Sequence, residues 1–470
     1  MSPAASTQPS ESDPESKYEV RIQSNQLNGA MSLNGCNMVK ALRRDLAHRI
    51  CEAGDNLIFN IFPDEAFGFP INEKFGQNFH GVFLTSGGTI DKTNFKGGEK
   101  KVASFLNRII TTLASFFTAA KLHHLKPLRH FSALHANHPI ADAVPRKPDI
   151  VLLRLVDHLY ARTGKLEWKD VQALVEHTDS AEVPARIMSR MARTITDKNY
   201  LMFCAQPEKN FIINLCITGL RTYVAVSDHA GQVDTDLMSF DRPSSVLLFL
   251  RMVMGFAFLP DKWLGVDDTI IRRVHGQTSS APILFETLEP PYSSVFKDPK
   301  ITLIYPLPSL VEKPLAITKE EAGEGECSQF DTIAVGDKTY KVLSVLFQSP
   351  AFIGRVTKVF LVRFEDGREG VLKDSFINID RRSEESILSD LCIPFGPDLI
   401  SHCILGDTST FRTSFLKPAA VTETRQKRRI VTYPAGVHIS DFTSLWELMV
   451  VFLDVLVGMS CLVINSLRLL

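Results

Sequence analysis

Neither charge sign is in excess. Lys and Arg total 52 against 53 Asp and Glu over 470 residues. That balance excludes a bulk field drawing the chain to nucleic acid or acidic lipid, so an electrostatic partner would need a local patch. The eight cysteines (36, 51, 204, 216, 327, 392, 403 and 461) include no C-x-x-C pair. This excludes the usual zinc and redox spacings and predicts free thiols in a reducing cytosol or nucleus. The opening "MSPAASTQPSESDPES" has no apolar core, so it reads as a solvated tail rather than a secretory signal. No internal repeat is visible. Nor is there a long apolar run free of charge: "LWELMVVFLDVLVGMSCLVI", Leu445 to Ile464, carries Glu447 and Asp454. An acidic residue at the bilayer centre costs about 2.5–3.5 kcal/mol. Leu445, Leu448, Phe452, Val455 and Leu456 recur at helical spacing with those acids off the stripe, which predicts a buried helix and no membrane span.

What is present is ordinary globular composition, 44 % hydrophobic and 22 % charged, with length for about three domains. Residues 1–35 form a Ser/Pro/Glu/Asn-rich tail, expected to be disordered. Residues 36–146 form a helix-rich region, with "CNMVKALRRDLAHRICEAG" and "FLNRIITTLASFFTAAKLHHL" as amphipathic helices ended by Gly54 and before Pro127. Residues 147–315 mix strands ("DIVLLRLV", "NFIINLCITGLRTYVAVSD", "ITLIYPL") with helices ("AEVPARIMSRMARTITDKNYLMF", "SSVLLFLRMVMGFAFL"). An acidic, Gly-containing, aperiodic stretch makes 316–330 a linker. Residues 331–470 open with "TIAVGDKTYKVLSVLFQSP", two strands around Gly336-Asp337.

A second hairpin follows at once. In "TKVFLVRFEDGREGVLKD", Asp366-Gly367 supplies the positive-φ turn, and Val359, Leu361, Gly370 and Leu372 alternate with their neighbours. Lys373 closes the second strand. In "RRSEESILSDL", Ser383 is placed to cap a helix carrying Glu384, Glu385 and Ile387. A strand-end lysine with a helical glutamate about ten residues on is, by itself, a surface ion pair.

The combination resembles the nucleotide-binding half of a protein kinase, where a Gly-rich loop covers the phosphates and a third-strand lysine pairs with a helix glutamate. "IGRVTKVFLV" is similar to the end of that loop, with Gly354 as its last glycine and Val356 over the adenine. "GVLK" is similar to the lysine motif, with Lys373 in the lysine position. "EESIL" is similar to the glutamate helix, with Glu384 as first choice of partner and Glu385 as second. Longer words, among them "VLKDSF", "RRSEESIL", "RRIVTYPAGVHISDFTSLWELMVVFLD" and "LRTYVAVSDHAGQVDTD", resemble the fungal-type protein kinase family over residues 145–458. The resemblance implies an α+β chain: an α/β accessory domain, then a kinase-like small lobe, with a hinge at Tyr433-Pro434-Ala435-Gly436. It also implies ATP and Mg²⁺ as cofactors.

Two departures qualify those expectations. The earlier glycine positions of the loop are Ser349 and Ala351, with Pro350 between, so nucleotide should be held weakly or not at all. Neither H-R-D nor D-F-G occurs anywhere, although phosphoryl transfer needs those aspartates. "DFT" at Asp441 to Thr443 precedes the helix that should lead to the catalytic loop, and the expected Asp-x-x-x-(Gly/Ala)-His signal fades after Asp454. The expectation is a chain truncated before its catalytic loop, with no catalytic residues of its own, inactive as it stands. A rival reading is an interaction protein whose C-terminal apolar helix seeks an unidentified protein partner.

Upstream, Pro148-Asp149 and Glu176 in "VQALVEHT" match the carboxylates of a restriction-endonuclease-like fold, a degenerate metal-dependent nuclease being the third reading. Two carboxylates can hold Mg²⁺ with waters, but the lysine position is Thr178. The literal Glu167-Trp168-Lys169 lies outside the β-branched run. "RQKRR", Arg425 to Arg429, is either a nuclear-localisation or nucleic-acid patch or, as the preferred reading, a solvated loop between the lobe's last two strands. His123, His124, His130, His135 and His138 are expected to be loop histidines rather than metal ligands.

Overall fold

The structure, a computed structural model, describes residues 50–54, 56–136, 140, 146–155, 166–179, 184–272, 330–349, 353–391, 397–407 and 425–436, together with residues 19–20, 33–34 and scattered positions between 444 and 456. The helix expected from Cys36 to about 49 and the strand expected in "ITLIYPL" lie outside these residues, as does the 316–329 linker.

The first sheet runs β1 (Ile50–Ala53), β7 (Gly231–Thr235), β6 (Arg221–Asp228), β5 (Phe211–Thr218), β4 (Val171–Thr178), β3 (Ile150–Arg154) and β2 (Arg129–Ser132). Pairing is parallel at β1–β7 and β4–β5 and antiparallel elsewhere. Three long helices cover it: α1 (Glu99–Ala119), α2 (Pro184–Ala205) and α3 (Pro243–Phe258). "DIVLLR" has no alternation because both faces are buried. Ile150 and Leu152 join the core under α1 and α3, whereas Val151 and Leu153 join a second core with Tyr200 and Met202 of α2. The result is a three-layer α/β/α unit. Helix α1 is long and apolar enough to cross a membrane by length and composition, but Leu106, Ile109, Leu113 and Phe116 spend that character on the core.

Three expectations need correction here. Phe452 and Leu456, expected on the core-facing stripe of a buried C-terminal helix, are 51 % and 60 % exposed, because no described element covers them. Among its described residues the 36–146 region shares its core with the accessory unit: Phe62, Phe75, Leu106 and Phe116 lie in one cluster with Leu215, Phe249 and Met252. Buried aromatics from both stretches pack edge to face across the supposed boundary, Phe117 on Phe258 at 5.1 Å for one. In addition, "ICEA", read as the end of a helix, is strand β1. Its pairing with β7, about 180 residues later, overrides local helical periodicity.

The second sheet runs β8 (Ile270–Arg272), β9 (Phe330–Val335), β10 (Lys338–Gln348), β11 (Lys358–Arg363), β12 (Glu369–Asn378), β14 (Arg425–Tyr433) and β13 (Asp398–Asp407), all antiparallel. Helix α4 (Glu384–Leu391) follows β12, and Ser383 accepts the Ser386 amide as its cap. Gly367, at φ +87°, makes the β11–β12 turn. Phe330, Ile333, Tyr340, Val342, Phe360, Leu372 and Val431 form this sheet's core. Strand β8 comes from the chain before the 316–330 stretch, so the second sheet borrows its edge from the preceding region.

Candidate functional site

Alternation along β12 separates two faces. Leu372, Asp374 and Phe376 are buried on one, and Lys373 projects from the other. The Lys373 ammonium meets the Glu384 carboxylate at 2.5 Å, with the side chains 28 % and 36 % exposed. Glu385, the second choice, turns to Arg428 instead. Burial pushes its carboxyl up, but its own helix-start amide, the Ser383 hydroxyl and Arg428 outweigh that and hold it below the ordinary value. The lysine side thus keeps one half-open carboxylate partner within reach of solvent.

Gly354 and Val356 lie between β10 and β11 but engage other groups. The Gly354 amide donates to the His229 carbonyl at 3.0 Å. Val356 is buried and sits at φ +38°, a conformation that costs a β-branched residue roughly 1–3 kcal/mol. The geometry therefore brings Lys373 and Glu384 together, while the Gly354 amide is aimed at the first unit.

Behind Lys373, the buried face of β12 carries an ionic group that sequence reasoning missed. Asp267, just before β8, accepts from Lys427 at 2.5 Å and Arg429 at 3.0 Å; Arg429 also reaches Asp374 at 3.0 Å. All four side chains are no more than 5 % exposed. Burial pushes both carboxyls up, yet the adjacent Lys427 and Arg429 hold Asp267 and Asp374 below the ordinary carboxylate range. The "RQKRR" segment is therefore neither a solvated loop nor a free basic patch. It starts β14, and its alternate residues Arg425, Lys427 and Arg429 face inward. The period of two running into "IVTY" was the available signal.

In the first unit, Asp149 precedes β3 and so lies across from Glu176 on β4, since Ile150 pairs with Val175. Asp149 accepts the His177 amide at 2.8 Å. Glu176 is buried against Lys198 of α2 at 2.5 Å. Burial raises the Glu176 carboxyl above its ordinary value, Lys198 opposing. A lysine thus does reach the carboxylate pair, from a helix rather than from position 178. Spacing along one strand could not reveal it. The donors do not fit a resident divalent ion, because Glu176 is already occupied by Lys198 and the Asp149 amide, and Asp149 by the His177 amide. Among the described residues no His/Cys/Asp/Glu group suited to a metal occurs. His130 meets Asn107 at 3.3 Å, and His135 is buried; His138 lies outside the described residues. Cys204, Cys216 and Cys403 are free thiols.

An α/β unit feeding an antiparallel sheet, with a strand lysine held by a helix glutamate, defines a protein-kinase-like class. The profile of the family described as fungal protein kinase matches residues 147–392, just over half of the chain. The chain belongs to that family. The match runs from the Pro148-Asp149 strand to the end of α4, so it takes in β3–β7 of the first sheet and β8–β12 of the second, and leaves β1, β2, β13 and β14 outside. No curated protein matches the chain.

Proposed function

We propose that the second sheet is a nucleotide-binding small lobe, spanning 331–470 with the hinge at 433–436. In this reading Lys373 holds an ATP phosphate while Glu384 keeps its ammonium oriented and charged. The observation that carries it is the half-exposed 2.5 Å Lys373–Glu384 pair. Mg²⁺ would arrive with the nucleotide and neutralise phosphate charge. Binding is weak, because Ser349 and Ala351 stand where glycines would let amides approach phosphate. With neither H-R-D nor D-F-G among its 470 residues, this chain by itself transfers no phosphate. The 147–315 region serves as the accessory unit.

Titration with Mg-ATP tests this. The expected dissociation constant is weaker than about 1 mM, with binding lost in Lys373→Met. Tighter binding refutes the weak grip, and no binding at saturating nucleotide refutes the site. Phosphate transfer that disappears in Lys373→Met would refute inactivity. We read Asp149, Glu176 and Lys198 as the pin between α2 and the sheet rather than as a nuclease centre. Mg²⁺-dependent cleavage of DNA abolished by Glu176→Ala would overturn that.

A further inference from the structure

The described residues of the loop joining β10 to β11, and those flanking it, are held at several points by the first unit. At its base, the Ser349 amide donates to the Thr357 carbonyl at 2.8 Å. One residue earlier, the Gln348 side-chain amide donates to the Cys204 carbonyl at 3.0 Å. On the far side, the buried Lys358 ammonium donates to the Pro207 carbonyl. Ile353 packs on the apolar cluster containing Tyr200, Met202 and Phe203. The Gly354 amide donates to the His229 carbonyl. The His229 ring is itself buried between Phe203 at 4.5 Å and Phe376 at 4.7 Å. Arg355 accepts the Phe376 amide at 2.8 Å. The grip thus comes from two places, residues 203–207 and His229, and Val356 is held in its left-handed conformation immediately beyond it. A strained β-branched residue persists only where its surroundings over-determine it.

A backbone amide makes one good hydrogen bond. A phosphate-covering loop works by turning its amides to the phosphate. We infer that the first unit is a clasp on this loop, competing with nucleotide phosphate for the Gly354 amide and holding the small lobe in a low-affinity state. This inference rests on the nucleotide reading of Lys373. Because coupling is reciprocal, nucleotide bound at Lys373 loosens the 203–207/His229 contact as much as that contact weakens nucleotide.

The test uses the full chain with Gln348→Ala and, separately, Ile353→Ser, neither of which touches Lys373 or Glu384. Amide hydrogen exchange at Gly354 and affinity for a non-hydrolysable Mg-ATP analogue are measured for each. The wild-type Gly354 amide should be protected and should lose protection on adding the analogue. Each variant should expose that amide and bind the analogue about fivefold more tightly, the factor for one released hydrogen bond. Faster exchange with unchanged or weaker affinity overturns the clasp and leaves the nucleotide reading intact, as does an unprotected wild-type amide. No binding by wild type or variants overturns both. Gln348→Ala removes only a side-chain amide, so it keeps the question answerable if Ile353→Ser unfolds.

Discussion

The two sheets carry the same contact, a lysine on a carboxylate at 2.5 Å, in opposite settings. Lys198 and Glu176 are each 4 % exposed, whereas Lys373 and Glu384 are 28 % and 36 % exposed. A buried pair is committed to the fold, because losing one partner strands a charge in a low dielectric. A half-open pair contributes little to stability, so its geometry is free to serve a ligand. Identical chemistry therefore has opposite meaning, and burial decides which.

Lys198→Ala should show the largest effect, a loss of about 3–5 kcal/mol in denaturant melts. A loss under about 1 kcal/mol would erase the contrast with Lys373. Next, Asp267→Asn should cost about 2–3 kcal/mol, because Lys427 and Arg429 would then share Asp374 as their carboxylate within this group. Comparing its unfolding by fluorescence with that of Lys373→Met shows whether the two sheets are fastened through this group.

The pH response comes third. Burial depresses Lys209 to about 7 and Lys358 to about 8, against an ordinary 10.5. Between those values and 10.5 the unfolded chain binds more protons, so these lysines make stability rise with pH. The slope is up to about 1.4 kcal/mol per pH unit for each. Melts from pH 7 to 9 should show the rise, and Lys209→Met should reduce its slope, leaving the Lys358 contribution; an unchanged slope would remove Lys209 as a source. The smallest shift belongs to Lys373→Met, under about 1 kcal/mol in the same melts, although nucleotide binding should vanish.

Local pattern made much of this legible. The β5–β6 and β9–β10 hairpins, the β11–β12 turn at Gly367, the Ser383 cap and the Lys373–Glu384 spacing all rest on residues close in the chain. What escaped were long-range pairings. Strand β1 needs β7 to become a strand. Lys198 approaches Glu176 only because α2 crosses the sheet. Arg429 turns inward only because Asp267 and Asp374 converge on it from separate elements. The merging of residues 36–146 with the accessory unit had the same origin, since a shared core leaves no boundary mark in composition.

Residue order alone settled which segments alternate, where turns fall, and that a lysine strand precedes a glutamate helix, because those properties depend on neighbours within about ten positions. Tertiary structure alone settled which ion pair is sealed and which is open, and where the Gly354 amide points. Burial and hydrogen-bond choice depend on groups brought together from distant parts of the chain, and no short window of sequence contains them.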